Sequence, residues 1–161
     1  MSNPSPEIIE KMVENEKRRI SELLNREEGE EFFKIRDELK SLMDERAGIF
    51  RDEKSLDYAL LKIRELKKRF SNVYVRNKLT VFNQELVNVI ELEGMLDIAE
   101  IICLGALERR ESRGSHYRRD HPERDDTKWL KHTLVTFSHE GPIVDYKSVN
   151  IKLYEPKPRE Y

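Results

Sequence analysis

Residues 81–110 read VFNQELVNVIELEGMLDIAEIICLGALERR. At about 100° per residue, Glu85, Glu93, Asp97, Glu100 and Glu108 fall within a stripe roughly 140° wide. Most of the remaining surface is apolar: Leu86, Val89, Ile90, Leu92, Met95, Leu96, Ala99, Ile102, Ala106 and Leu107. The spacing predicts one long helix. An apolar face this broad is too wide for a strict heptad seam and must be covered from more than one side. The long helix is therefore expected at the centre of an antiparallel bundle, packed by the two helices before it.

Working upstream, Leu56, Ala59, Leu60, Ile63, Leu66 and Phe70 recur at steps of three and four, with Asp52 or Ser55 as the cap. Before them, Phe32, Ile35, Leu39, Leu42 and Met43 share a face that Gly48 should end and Gly29 should precede as a break. Ser5-Pro6-Glu7 signals a further helix start, followed by Ile9, Met12, Val13, Ile20, Leu23 and Leu24, with a charged gap at Glu16. Residues 71–77 form a connector whose apolar part is Val73-Tyr74-Val75.

Downstream, the character changes at Glu108, and the chain is almost solidly charged as far as Lys131. Residues 133–137 and 144–153 then have strand composition, with Val149, Ile151 and Leu153 alternating with polar residues. Ser138-His139-Glu140-Gly141-Pro142 supplies the turn between them, and the two prolines in residues 156–161 favour an extended end. The expected fold is mainly α: an antiparallel three-helix bundle, spectrin-repeat-like, with an extra N-terminal helix and an irregular C-terminal tail holding a short β-hairpin. Residues 1–110 make the bundle; residues 111–161 make the charged segment and hairpin.

Composition agrees. Charged residues are 39% of the 161 and apolar residues 37%, which long amphipathic helices accommodate by burying narrow stripes. Regular apolar spacing argues against disorder. A net charge of −2 gives no global basic field for nucleic acid. The lone cysteine, Cys103, excludes an intrachain disulfide and a Cys-rich metal site, and its apolar neighbours make it core. No run of about 18 apolar residues exists, and the first ten residues do not resemble a signal peptide.

The informative charged stretch is RESRGSHYRRDHPERDD, residues 110–126, continuing as TKWLKHTL to Leu134. It closely resembles a motif near the C-terminus of succinate dehydrogenase and fumarate reductase flavoproteins: E-S-R-G-A-H, then R-x-D-x-P-x-R-D-D, then W-L-K-H-T-L. Ser115 stands where that family usually has alanine. Residues 43–51, Phe82-Asn83, residues 95–100, Gly141-Pro142 and Tyr146-Lys147 extend the resemblance over nearly the whole chain, most weakly before Leu23. L-aspartate oxidase shares a related helical domain and the first motif, and typically lacks the R-D-D and W-L-K-H-T continuation.

The resemblance implies a parent enzyme that interconverts succinate and fumarate with FAD and passes electrons to iron–sulfur clusters. It implies an architectural role here: packing on the flavin domain near the iron–sulfur subunit, on the cytoplasmic side of a membrane and held there through partner subunits. No G-x-G-x-x-G follows a strand, and the family's flavin-linked histidine and its substrate-binding and proton-delivering residues have no counterpart motif. No catalytic, cofactor-binding or metal residue is therefore assigned. The expected interface residues are Arg113, His116, Arg118, Asp120, Arg124, Asp125, Asp126, Trp129 and His132. The arginines Arg113, Arg118 and Arg124 would each grip a carboxylate bidentately, with Asp120, Asp125 and Asp126 as acceptors nearby, and ion pairs would fix the segment as a clasp against the flavin domain, while Trp129 docks as an apolar anchor.

Competing readings are weaker. His116, Asp120, His121 and Asp125 suggest a metal site, but Pro122 breaks the spacing and the arginines oppose a cation. Ser112, His116 and Asp120 suggest a triad without a nucleophile elbow. Interleaved carboxylates cancel the field of the arginines toward nucleic acid. A free-standing helical interaction module is the other functional class. An uncovered docking face would also let two copies of the isolated chain associate.

Overall fold

The computed structural model describes residues 4–138, 140–154, 156 and 157. Four helices carry the fold: α1 (Pro6–Asn25), α2 (Phe32–Arg46), α3 (Glu53–Phe70) and α4 (Gln84–Glu108). Two parallel pairs of two-residue strands brace them. β1 (Glu30–Glu31) pairs with β3 (Val73–Tyr74), and β2 (Phe50–Arg51) pairs with β4 (Tyr117–Arg118). These pairings fix the topology. β1 and β3 bring the start of α2 to the end of α3, while β2 and β4 bring the α2–α3 corner to the chain just beyond α4. Helices α2, α3 and α4 therefore run up, down and up, as an antiparallel bundle requires.

The core is a single apolar cluster. Helix α2 contributes Phe32, Ile35 and Leu39; α3 contributes Leu56, Ala59, Leu60, Ile63 and Leu66. From α4 come Val89, Leu92, Leu96, Ala99, Cys103 and Ala106, an alternation of three and four steps that keeps one seam facing α2 and α3. Val73 and Val75 plug the end near β3. Among these groups Glu100 is buried but paired, with its carboxylate 2.9 Å from Arg64 Nε and 2.7 Å from Lys67 Nζ. Burial alone would raise the Glu100 carboxyl; the two cations outweigh it and hold it below its usual range.

α2 and α3 cover only that seam. Val87, Met95, Ile98, Ile101 and Ile102 lie on the remaining face of α4 and stay exposed, so the helix is not covered from every apolar side as its composition predicted. Helix α1 behaves similarly. Its C-terminal part is tied to the bundle by Leu23, by the Arg19–Glu93 ion pair and by Arg26, which donates to the Ser71 carbonyl at 2.8 Å. Its first turns leave Ile8, Ile9, Met12 and Val13 exposed. Gly29 follows because the backbone passes so close to Asn72 that a Cβ would sit 2.2 Å from its carbonyl oxygen.

Several boundaries differ from those the sequence predicted. Helix α4 starts at Gln84, not Val81, because Asn83 caps it: its Oδ1 accepts from Leu86 N at 3.0 Å while its amide donates to the carbonyls of Asn77 and Leu79. The loop this creates holds Phe82 at φ +52° with its side chain fully exposed. α4 ends at Glu108, two residues short of Arg110. Asp52, rather than Ser55, caps α3; its Oδ1 accepts from Ser55 N at 2.9 Å. At α1, Ser5 is the N-cap and Pro6 the first helical residue, but the serine hydroxyl makes no capping bond.

The C-terminal hairpin is β5 (Lys131–Thr136) against β6 (Ile143–Ser148), antiparallel, with Lys131 opposite Ser148. It begins earlier and ends sooner than expected: β5 runs out at Lys131, so Val149, Ile151 and Leu153 have no strand to pair with despite their alternation. Of the expected turn, His139 lies outside the described residues, as do residues 158–161 of the tail.

Replacing Ile63, fully buried in α3, with Ala should lower unfolding free energy by about 2–5 kcal/mol in urea titrations. Replacing exposed Ile98 with Ala should change it by less than about 0.5 kcal/mol. Equal effects at both positions would refute the assignment of Ile63 to the core and of Ile98 to the bare face of α4.

Candidate interface segment

Residues 109–130 form an ordered loop built on arginines. Arg118 is its centre, 1% exposed. Its Nη1 donates to the carbonyls of Ala106 and Leu107, both at 2.8 Å, and of Arg109 at 3.2 Å. These are the carbonyls that the end of α4 leaves without intrahelical donors. Nε and Nη2 of the same guanidinium grip both oxygens of Asp120, each at 2.8 Å. Asp120 Oδ2 also accepts from Glu53 N, at 3.0 Å, the first residue of α3. A cation thus meets the negative end of α4 and an anion meets the positive end of α3, which is the favourable arrangement for both helix dipoles. The bond from Arg118, reinforced by Glu53 N, holds the Asp120 carboxyl well below its usual range.

The sharp turn that lets the chain double back uses Gly114, at φ +59°. Arg113 and His116 exchange backbone bonds across it, at 2.8 and 3.1 Å. Ser112 Oγ accepts from Arg118 N at 2.8 Å and donates to the His121 carbonyl at 2.8 Å. The loop is then laid on the α2–α3 corner by Tyr117 N to Ile49 O, 3.3 Å, and Arg119 N to Arg51 O, 2.8 Å.

A second cluster surrounds Glu111, which is fully buried. It accepts from Arg109 Nη1 at 2.5 Å, Arg113 Nε at 2.8 Å and the Asp125 amide at 3.0 Å. Burial pushes this carboxyl up, but the bonds from Arg113, Asp125 and Arg109 prevail and keep it below its usual range. Arg113 also reaches Asp126 at 2.6 Å, and Arg124 takes both oxygens of Asp126 at 2.8 and 2.7 Å. Asp125 caps the short helix α5 (Asp126–Trp129) by accepting from Thr127 N and Lys128 N.

Trp129 is half-buried, edge-on to Tyr146 at 5.6 Å, with Arg109 and Lys131 over its ring. Its neighbour Arg109 donates to the carbonyls of Trp129 and Lys131, so one guanidinium joins α4 to the hairpin. His132 stands on the outer, exposed face of β5, opposite Lys147. His116 is half-buried between Arg51 and the Arg109 carbonyl.

Most of the expected interface residues therefore meet, but their charges close on one another within the chain. The guanidiniums of Arg113, Arg118 and Arg124 are matched by Glu111, Asp120 and Asp126, of which Asp120 and Asp126 are nearby acceptors that the sequence offered. Ser112, His116 and Asp120 point to separate partners and form no relay. Among the described residues, no three of His, Cys, Asp or Glu converge as metal ligands would. Glu111, Arg109 and Arg51 were absent from the expected set. The flanking of Glu111 by Arg109 and Arg113 was the available signal. Nothing local marks Arg51, which lies 65 positions before its partner His116.

This geometry sits in a chain with known relatives. The sequence model of the family described as fumarate reductase flavoprotein C-term matches residues 36–161. The chain belongs to that family. The fumarate reductase flavoprotein subunit of Haemophilus influenzae is 42% identical over 142 residues, which is 87% of this chain and 24% of that protein. The FrdA chain of E. coli quinol fumarate reductase superposes with a TM-score of 0.89 at 35% identity, covering 98% of this chain and 27% of that one. The Sdh1 complex of Mycobacterium smegmatis gives a TM-score of 0.79 at 29% identity, covering 90% and 25%. This member of the fumarate reductase family thus spans about a quarter of the length of those relatives.

The helix starts at α3 and α4 do not fit the pyrophosphate of a flavin dinucleotide. Its pyrophosphate needs a helix N-terminus open to an anion beside a strand. The N-terminus of α3 is occupied by the carboxylates of Asp52 and Asp120, and that of α4 by the Asn83 side chain. Among the described residues each sheet has two strands. No described helix is long and apolar enough to cross a membrane.

Replacing Arg118 with Ala should cost about 3–5 kcal/mol in urea unfolding, because it strands buried carbonyls and a carboxylate. Asp120 contributes stability that is fully present above the pKa of an unfolded aspartate, about 3.9, and is lost as pH falls through its depressed folded value. Asp120→Asn should therefore flatten the acid side of the stability–pH curve. An unchanged acid limb would show that the ion pair does not carry it.

Proposed function

We propose that this chain works as the non-catalytic C-terminal domain of a succinate dehydrogenase/fumarate reductase flavoprotein subunit. The observation that carries the reading is the family match over residues 36–161, confined to about a quarter of each relative. In the proposed assembly, FAD and the succinate–fumarate chemistry belong to the flavin-binding part of the subunit. This domain packs on that part and lies near an iron–sulfur subunit, held at the cytoplasmic side of a membrane only through partners.

The bare face of α4 supports the reading, since an apolar stripe this long on a soluble domain marks a contact surface. The loop at Phe82 adds to it. Leu79, Val81 and Phe82 are exposed on a turn pinned by Asn77, Asn83 and Glu85. Residues 109–130 serve as an internally tied clasp: Arg113, His116, Arg118, Asp120, Arg124, Asp125 and Asp126 hold its shape. Trp129 and His132 present it and the hairpin to the neighbouring domain. Their contribution is rigidity at the contact, achieved before docking, so that little conformational entropy is lost on assembly.

A domain swap tests this. The present chain should replace the matching C-terminal quarter of E. coli FrdA with retention of flavin and of fumarate-dependent oxidation of a reduced dye, whereas FrdA lacking that quarter should lose both. The isolated chain mixed with FAD should show no bound flavin absorption. A chimera as inactive as the truncated subunit, or flavin bound by the chain alone, would overturn the proposal.

A further inference from the structure

We infer that His116 is a proton-operated latch between the charged segment and the α2–α3 corner. Its Nδ1 lies 2.9 Å from Arg51 Nη1, and its Nε2 lies 3.2 Å from the Arg109 carbonyl. A guanidinium can only donate and a carbonyl can only accept. Both contacts therefore require one species: the neutral imidazole with its proton on Nε2. Arg51 is not free to adjust, because its Nε donates to the carbonyls of Ala47 and Gly48 at the end of α2, at 3.1 and 2.6 Å. A proton added at Nδ1 would turn the acceptor into a second donor, facing a fixed cation at hydrogen-bond distance.

Among the described residues, the surroundings offer that proton no counter-charge. The cations facing the ring are Arg51 from β2, Arg118 from β4, and Arg109. The carboxylates in reach of these cations are already committed, Asp120 to Arg118 and Glu111 to Arg109 and Arg113. From α4, the Cys103 thiol beside Arg51 is pushed up to about 11 by burial, so it stays neutral. Burial and the three guanidiniums together hold His116 below its ordinary value, against the opposing bond to the Arg109 carbonyl.

What the latch holds is the β2–β4 pairing, whose bonds from Tyr117 N and Arg119 N lie beside the imidazole in sequence. With the latch open, the imidazole enters water and titrates near an ordinary histidine value, about 6.5. The open form then takes up a proton that the closed form refuses. The opening constant should rise about tenfold per pH unit below that value, until the closed form itself titrates. Mild acid would thus loosen the segment from the bundle while the helical core stays folded. The inference stands on the geometry of this chain and does not depend on the proposed parent enzyme.

The test uses the full chain labelled with nitrogen-15. Imidazole spectra between pH 8 and 5 should show His116 as the Nε2–H tautomer, still neutral below the ordinary histidine range. After correction for intrinsic rates, hydrogen exchange at the Tyr117 and Arg119 amides should rise about tenfold per pH unit below about 6.5, with the amides of Ile63 and Leu66, buried within α3, unaffected. His116→Asn places an amide oxygen where Nδ1 stands; it can accept from Arg51 but cannot titrate, so its protection should be independent of pH. An Nδ1–H tautomer, titration at or above the ordinary value, or the same acid response in His116→Asn would overturn the latch. Should that variant not fold, the tautomer and titration of the unaltered chain decide the matter alone.

Discussion

The Arg118 guanidinium is the constraint on which the remaining architecture turns. A buried cation is tolerable only when every donor is used and an anion lies against it. Here the donors are used by the last carbonyls of α4 and by Asp120, and Asp120 in turn takes the first amide of α3. One side chain therefore ties the end of α4 to the start of α3 and sets how the chain returns after α4. Ser112, Gly114 and the β2–β4 pairing all serve to deliver Arg118 to that point. The Glu111 cluster repeats the device one layer out, tying the end of α4 to α5 and, through Arg109, to the hairpin.

Such an economy explains why a segment so charged is ordered. Exposed ion pairs contribute little, because water screens them and ordering long side chains costs entropy. The pairs that matter here are bidentate, partly or wholly buried, and shared with backbone groups that would otherwise lack partners. The outermost pairs, those of Asp126 with Arg113 and Arg124, are the least sheltered and mainly shape the loop. The apolar side of the account runs the other way. α2 and α3 bury one seam of α4, and among the described residues nothing covers Ile98 and Ile102, which stay exposed. Charge satisfied internally and apolar surface left bare together fit a domain that is finished in its fold and unfinished in its contacts, which is the part the proposed function gives it.

Much of this was legible in the sequence. The steps of three and four in α2, α3 and α4 gave the helices and the buried residues, since periodicity reports the face a helix must bury. Asn83 and Asp52 start α4 and α3 where their side chains can cap them, a choice that composition narrowed but did not settle. Positions 149–153 alternate like a strand yet lie in a loop, because a strand needs a partner and β5 begins only at Lys131, opposite Ser148. The residues of the clasp were recognisable as a set. Their partners were not, because Arg118 reaching back to Ala106 and Arg51 meeting His116 are contacts made by the tertiary path of the chain. The bare face of α4 was likewise invisible to periodicity, which shows that a side chain is apolar and not whether anything covers it.

The central claim, that the bare face of α4 is a contact surface completed by the rest of a flavoprotein subunit, can be tested by thiol labelling. A cysteine placed at Ile98 would be the reactive one, since buried Cys103 holds its proton up to about pH 11. The account predicts labelling at the rate of an ordinary exposed thiol in the isolated chain, and protection once the same residues are joined to the flavin-binding part. Equal labelling in both would contradict it.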